Sequence, residues 1–219
     1  MAAKTVIIAD GDPPESPWPL EALRNAERLI ACDGAWRTAM ELGRKPDVVV
    51  GDGDSISPDD LHELERIGIP QVLDYEQDTN DLCKAFRYAL NNGMADGGIA
   101  IVGATGKRED HTIGNIFHLI DFAEMLGDDD VSIVTDSGVF EPVLPPGRRW
   151  GEEDCRAGAQ VSVFAPLPGT KMTSKGLEWP LDKVVFDTLW RATLNRAPQG
   201  AFSLSTSRTA IVFLPHQAR

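Results

Sequence analysis

Cysteine is scarce in this 219-residue chain, and the three present, Cys32, Cys83 and Cys155, show no C-x-x-C spacing. That argues against a disulfide framework and a cysteine-held zinc site, and makes a reducing cytoplasm the expected compartment. Positive charge is also in short supply: 21 Lys and Arg against 34 Asp and Glu give a formal charge of −13. Nonspecific DNA or RNA binding needs a basic footprint that such a chain lacks, whereas a nucleotide can still be met through a bound cation. Long apolar runs are missing as well. Met1–Asp10 carries one lysine and an apolar stretch too brief for a signal peptide or a membrane span, so neither export nor a membrane is expected. Repeats and low-complexity tracts are absent.

What is present suffices for a core, since 42% of the residues are hydrophobic, and the length suits two small domains. Up to about residue 135, short β-branched runs (Thr5–Ala9, Arg28–Cys32, Val48–Val50, Gln71–Leu73, Gly98–Val102, Val131–Thr135) alternate with stretches of helical apolar spacing (Ala35–Leu42, Pro58–Ile67, Leu82–Leu90, Thr112–Leu126). That rhythm predicts an α/β fold, a mainly parallel, Rossmann-like sheet covered by helices. After Asp136, prolines and glycines punctuate short strand-like runs such as Gln160–Phe164 and Ala210–Leu214, which predicts a small all-β domain. The expected domains are 1–138 and 139–219.

In an open parallel sheet the carboxyl ends of the strands share one edge, where ligands bind. Four predicted strands end in acidic or glycine-rich segments: Asp33; Gly51-Asp52-Gly53-Asp54-Ser55; Glu76-Gln77-Asp78-Thr79-Asn80-Asp81; and Gly103-Ala104-Thr105-Gly106-Lys107-Arg108-Glu109-Asp110-His111. Carboxylates at that density repel unless a cation offsets them, and hard oxygen donors suit Mg²⁺. Simpler readings exist for single residues. Asp33 and Asp81 can cap helices, Lys84 can pair with Asp81 one turn away, and the 103–106 glycines can form a plain turn. Small residues there also let backbone N–H groups approach phosphate, and Arg108 offers a fork for its oxygens. The Gly-Lys-Ser/Thr ending of a Walker loop is absent. His111 and Asn115 fall on one helical face.

Taken in order, Gly51-Asp52-Gly53-Asp54-Ser55-Ile56, Gln77-Asp78 with Asp81 and Lys84, and Gly103 to Asn115 resemble the serial motifs of the thiamine pyrophosphokinase family. Thr173-Ser174-Lys175-Gly176-Leu177-Glu178-Trp179-Pro180-Leu181 is similar to its thiamine-side signature, and Thr193 and Asn195 fall where it carries a Ser/Thr and Asn pair. The resemblance implies an α/β nucleotide domain followed by a β-sandwich, and a homodimer with its sites between subunits. It further implies transfer of pyrophosphate from ATP to thiamine. On that likeness Asp52, Asp54 and Asp78 hold Mg²⁺, with Asp33 completing the shell, and Asp52, Asp54, Asp78, Asp81 and Arg108 are the catalytic set. Asp33, Gln77, Lys84, Gly103, Thr105, Gly106, Asp110, His111 and Asn115 bind ATP, and Ser174, Trp179, Thr193 and Asn195 bind thiamine. Trp190 is a further aromatic candidate, with core filling the alternative for both tryptophans. Gly53, Asn80, Lys107 and Leu194 depart from the family pattern. Two other function classes fit a D-x-D: a Mg²⁺-dependent phosphohydrolase, for which Asp10 and Asp12 also qualify, and a noncatalytic nucleotide or thiamine diphosphate sensor.

Overall fold

The computed structural model describes residues 3–128 and 130–216. The chain divides into two compact units, one running to His118 and including Ile133–Asp136, the other Leu119–Ser132 with Ser137 onward.

The first unit alternates strand and helix: β1 (Thr5–Ile8), α1 (Pro17–Asn25), β2 (Arg28–Cys32), α2 (Ala35–Glu41), β3 (Val48–Gly51), α3 (Pro58–Ile67), β4 (Gln71–Leu73), α4 (Asp81–Asn91) and β5 (Ile99–Val102). α5 (Glu109–Leu126) and β6 (Val131–Val134) follow, and the division between units falls within them. The strands lie in the order β6-β5-β1-β2-β3-β4, and the pairs among β5, β1, β2, β3 and β4 are parallel. Val6, Ile7, Ile8, Leu29, Ile30, Val48, Val49 and Val50 are buried, as the unbroken apolar runs require of strands covered on both faces. Helix starts are written locally. Ser57 and Asp60 form a reciprocal capping box at α3, which ends on Gly68 at φ 67°, and Asn80 caps α4 by accepting from the Cys83 N–H. The sequence reading missed α1, whose Pro17 occupies a first-turn position where its lack of an N–H costs nothing.

The second unit is antiparallel. β11 (Ala192–Ala197), β9 (Ala159–Phe164), β13 (Ala210–Pro215) and β7 (Gly138–Val143) pair in that order, and β10 (Met172–Lys175), β12 (Phe202–Thr206) and β8 (Gly147–Trp150) form a three-stranded sheet. Residues from both sheets, including Val143, Val161, Val163 and Val212 from one and Trp150, Met172, Phe202 and Leu204 from the other, share one core. Trp150 stacks on Phe202 with ring centroids 4.5 Å apart, and its Nε1–H donates to Glu141 Oε2 at 2.8 Å, so the largest buried ring keeps its polar atom satisfied. Among the described residues no helix is long and apolar enough to cross a membrane.

Candidate active site

The carboxyl ends of the first unit's strands open onto a cleft of about 420 Å³. The end of β2 delivers Asp33, the loop after β3 delivers Asp52 and Ser55, and the start of α4 with the segment before it brings Thr79, Asn80 and Asp81. The β5–α5 turn adds Ala104, Gly106, Lys107 and Arg108, and the first turns of α5 add His111 and Asn115.

Asp33, Asp52 and Asp81 form the centre, with one carboxylate oxygen from each lying within 4.8 Å of the others. Asp33 is 2% exposed and sits at φ 28°, an unusual backbone for a residue bearing a side chain. Its Oδ2 accepts the Ser55 N–H at 2.8 Å, while Oδ1 is buried without a hydrogen-bond partner. Room for this carboxylate comes from Gly51, where a Cβ would stand 2.8 Å from the Asp33 Cβ. Helix capping accounts for neither aspartate: Asp33 serves Ser55 across the sheet, and the cap of α4 is Asn80, not Asp81.

Lys84 is enclosed between two of these acids, its Nζ donating to Asp52 Oδ2 at 3.1 Å and to Asp81 Oδ1 at 3.2 Å. The pairing with Asp81 expected from spacing is therefore present, but half of the contact is to a residue 32 positions away. Burial pulls the ammonium toward neutrality, and its hydrogen bonds to Asp52 and Asp81 outweigh that, so its pKa is raised. Asp52 is held below the usual carboxylate range, first by the Asp54 N–H (3.1 Å to Oδ1) and then by Lys84 and Gln77. Asp33 and Asp81 shift upward because burial disfavours their charged forms more than their hydrogen bonds favour them. Three carboxylates with one ammonium carry two net negative charges, which a divalent cation neutralises. The buried, unpartnered Asp33 oxygen and the all-oxygen donor set fit such an ion.

Other residues selected from sequence are placed as follows. Gln77 reaches Asp52 Oδ2 from 3.4 Å. Asn80 donates to Asn115 Oδ1 at 2.9 Å and Asn115 donates to the Ala104 carbonyl at 2.9 Å, so these two amides tie α4 to α5 and to the end of β5. Arg108 makes a two-nitrogen pair with Asp110, at 3.1 and 2.6 Å. Gly106 N–H donates to Thr112, and Gly103 and Thr105 carbonyls accept from Gly11 and Asp12. Asp54 and Asp78 belong neither to the acid group nor to the cleft wall.

Sequence reasoning placed Glu76 in an acidic strand end without giving it a role, and overlooked Arg87. Glu76 accepts the Thr79 hydroxyl (2.6 Å), the Thr79 N–H (2.9 Å), the Asp78 N–H and Arg87 Nη2 (2.8 Å), which fixes the segment leading to Asp81. Those bonds, the Thr79 hydroxyl's foremost, bring its pKa down to about 2. The available signal was a glutamate three residues before a threonine and eleven before an arginine. Cys32 also lines the cleft, but burial pushes its thiol well up, so it stays protonated at neutral pH and offers no nucleophile.

In the second unit, Ser174 Oγ accepts the Leu181 N–H at 3.0 Å and Thr193 Oγ1 donates to the Trp190 carbonyl at 3.1 Å. Asn195 grips the Trp179 backbone in both directions, at 3.2 and 2.8 Å. Trp179 and Trp190 are more than half exposed, so neither fills the core. Leu194 stands at φ 58° within a β-bulge of β11 and is also exposed.

The upward shift of Asp33 has a testable consequence. A carboxyl whose folded-state pKa lies above its unfolded value of about 3.8 contributes stability below that pH and loses it as pH rises through the folded value. Asp33→Asn is therefore expected to unfold at a higher temperature than the parent near pH 7 in chelator. The advantage should shrink toward pH 4, and added Mg²⁺ should raise the parent's midpoint more than the variant's. Thermal melts at both pH values check this, and a variant less stable than the parent at pH 7 contradicts it.

A family model described as "Thiamin pyrophosphokinase, catalytic domain" matches residues 20–134, and one described as "Thiamin pyrophosphokinase, substrate-binding domain" matches residues 146–213. Thiamine pyrophosphokinase 1 of Oryza sativa subsp. japonica is 32% identical over 147 residues, covering 63% of this chain and 53% of that protein. Thiamine pyrophosphokinase 1 of Arabidopsis thaliana is 32% identical over 151 residues, covering 63% and 52%. The chain spans about half the length of these curated relatives. Among solved structures, a thiamin pyrophosphokinase family protein from Enterococcus faecalis superposes with a TM-score of 0.78 at 18% identity, over 97% of this chain and 99% of that one. The yeast thiamin pyrophosphokinase superposes with 0.74 at 15% identity, over 98% and 86%. At such identities the likeness is one of fold.

Proposed function

Because this chain belongs to the thiamin pyrophosphokinase family, we propose that it transfers the pyrophosphoryl group of ATP to the hydroxyl of thiamine, giving thiamine diphosphate and AMP. The observation that carries this reading is the Asp33, Asp52 and Asp81 group, with its buried unpartnered oxygen and Lys84 behind it, set in a cleft that also presents Lys107 and Arg108. Phosphoryl-type transfer asks a protein mainly for positioning and charge stabilisation, and this wall supplies donors of both signs. In the proposed reaction the thiamine oxygen bonds to the β-phosphorus, the bridge from that phosphorus to the α-phosphate breaks, AMP leaves with the bridging oxygen, and the hydroxyl proton is released.

Asp33, Asp52 and Asp81 would hold Mg²⁺, with Asp54 and Asp78 on the same two loops as further oxygen donors. When bound, Mg²⁺ neutralises phosphate charge. Arg108 meets the transferred group after release from Asp110, Lys84 keeps Asp52 and Asp81 ionised and oriented, and Asn115 and His111 line the nucleotide's path. Residues 1–138 form the nucleotide domain and 139–219 the thiamine domain, where Ser174, Thr193 and Asn195 shape a surface that offers Trp179 to the thiazolium cation. The exposed Trp179, Val185, Trp190 and Leu194 support a homodimer whose sites form between subunits, and the scarcity of cysteine in the sequence suits work in the cytoplasm.

The test is a product assay with ATP, thiamine and Mg²⁺. AMP and thiamine diphosphate should appear in equal amounts, and neither without thiamine. Thiamine-independent phosphate release would make the protein a hydrolase, and tight binding of thiamine diphosphate without ATP consumption would make it a sensor.

A further inference from the structure

The cations at and beneath the cleft wall differ in how firmly their partners hold them. Lys84 is shut between two acids. Lys107 Nζ, in contrast, lies 2.9 Å from Asp10 Oδ1, and both side chains are roughly half open to solvent. Such a pair is worth little, because water screens it and two side chains surrender their freedom, so a competing anion can take the ammonium at small cost.

The backbone at Lys107 points the same way. Its φ is 55°, in the left-handed region where glycine is at ease and a side chain is strained. The neighbours impose that conformation. Gly11 N–H donates to the Gly103 carbonyl at 2.7 Å, Asp12 N–H to the Thr105 carbonyl at 2.8 Å, and Gly106 N–H to Thr112 Oγ1 at 3.0 Å, while a Cβ on Gly106 would overlap the Asp12 carboxylate. A turn fixed in this way would be less strained with glycine at 107. Among the described residues the polar contact of its side chain is the exposed pair with Asp10, a weak return for the backbone strain.

We propose that Lys107 is a phosphate-binding residue held in reserve: in the free protein its ammonium rests on Asp10, and it transfers to the polyphosphate of a nucleotide entering the cleft. Asp10 thereby sets nucleotide affinity by competing with the ligand. The proposal rests on the ATP reading above.

Calorimetric titration of the full chain with Mg·ATP tests it. Lys107→Gln should weaken binding roughly tenfold, the loss of one charge-assisted contact. Asp10→Asn should tighten it roughly two- to fivefold by releasing the ammonium. The double variant should bind no tighter than Lys107→Gln, and Lys107→Arg should keep most of the affinity. Lys107→Gly should weaken binding as Lys107→Gln does while unfolding at the same or a higher temperature, a divergence that a purely structural lysine would not produce. Parent-like affinity in Lys107→Gln, or weaker binding in Asp10→Asn, overturns the proposal. A parent that fails to bind Mg·ATP at all overturns the ATP reading itself, and the two failures are distinguished by the parent's titration.

Discussion

Asp52→Asn is expected to fold normally and to turn over about 10²- to 10³-fold more slowly than the parent, the scale seen when one preorganised electrostatic group is removed from a transfer site. Asp52 serves every neighbour at once. Oδ1 receives the Asp54 N–H at 3.1 Å, and Oδ2 receives Lys84 at 3.1 Å and Gln77 at 3.4 Å. Asparagine keeps one acceptor and turns an NH₂ group either toward the Lys84 ammonium or toward the Asp54 amide, setting donor against donor. It also removes one of the three carboxylates that make the acid group complementary to a divalent ion. Both losses act on the charged, reacting state more than on the fold, since Asp52 lies at the cleft surface. Steady-state assays across Mg²⁺ concentrations should show a lower turnover and a weaker apparent Mg²⁺ affinity. Parent-like turnover at saturating Mg²⁺ would remove Asp52 from the reaction.

Lys84→Met is expected to be the most destabilising single change at the site, at about 3–5 kcal/mol, the range for removing one partner of a buried ion pair. Methionine fills the space of the lysine stem, so the deficit comes from charge and not from a cavity. Without the ammonium, whose side chain is 1% exposed, Asp52 and Asp81 face one another and Asp33 uncompensated. Against a typical folding free energy of about 5–15 kcal/mol that is a large share. Burial already raises the Asp33 and Asp81 pKa values in the presence of Lys84. Loss of the cation raises them further, so the variant should recover relative to the parent as pH falls toward 4, where protonation relieves the repulsion. Mg²⁺ should restore part of the difference at neutral pH. Denaturant titrations in chelator and in Mg²⁺ measure both effects, and a variant within about 1 kcal/mol of the parent, the value of a solvent-screened pair, would refute this account.

The sheet was legible in the sequence because strands buried on both faces must be apolar along their whole length, as in Val48–Val50 and Ile99–Val102. The strand-end rule then located the cleft correctly, since position along a parallel strand determines which edge a residue occupies. The acid group itself was less legible. A D-x-D pattern joins Asp52 to Asp54 by sequence, but the Asp54 N–H folds back onto Asp52, and the residues that complete the group come from the ends of β2 and the start of α4. Contacts such as Ser55 to Asp33 and Lys84 to Asp52 depend on how strands stack side by side, which no local spacing records. The same limit hid the Asp10–Lys107 pair, whose members are 97 residues apart. α1 escaped because its prolines resemble a break when they are an entry.

The chain of amides from Asn80 to Asn115 to the Ala104 carbonyl acts as a fixed gauge for the cleft. Asn115 is buried, and parting α4 from α5 would strand its amide at a cost of about 1–3 kcal/mol. The aperture is therefore set where the starts of α4 and α5 are tied together. A ligand too wide for that frame would have to break the Asn80–Asn115 bond to enter, so the pair of amides acts as an upper limit on what the cleft admits.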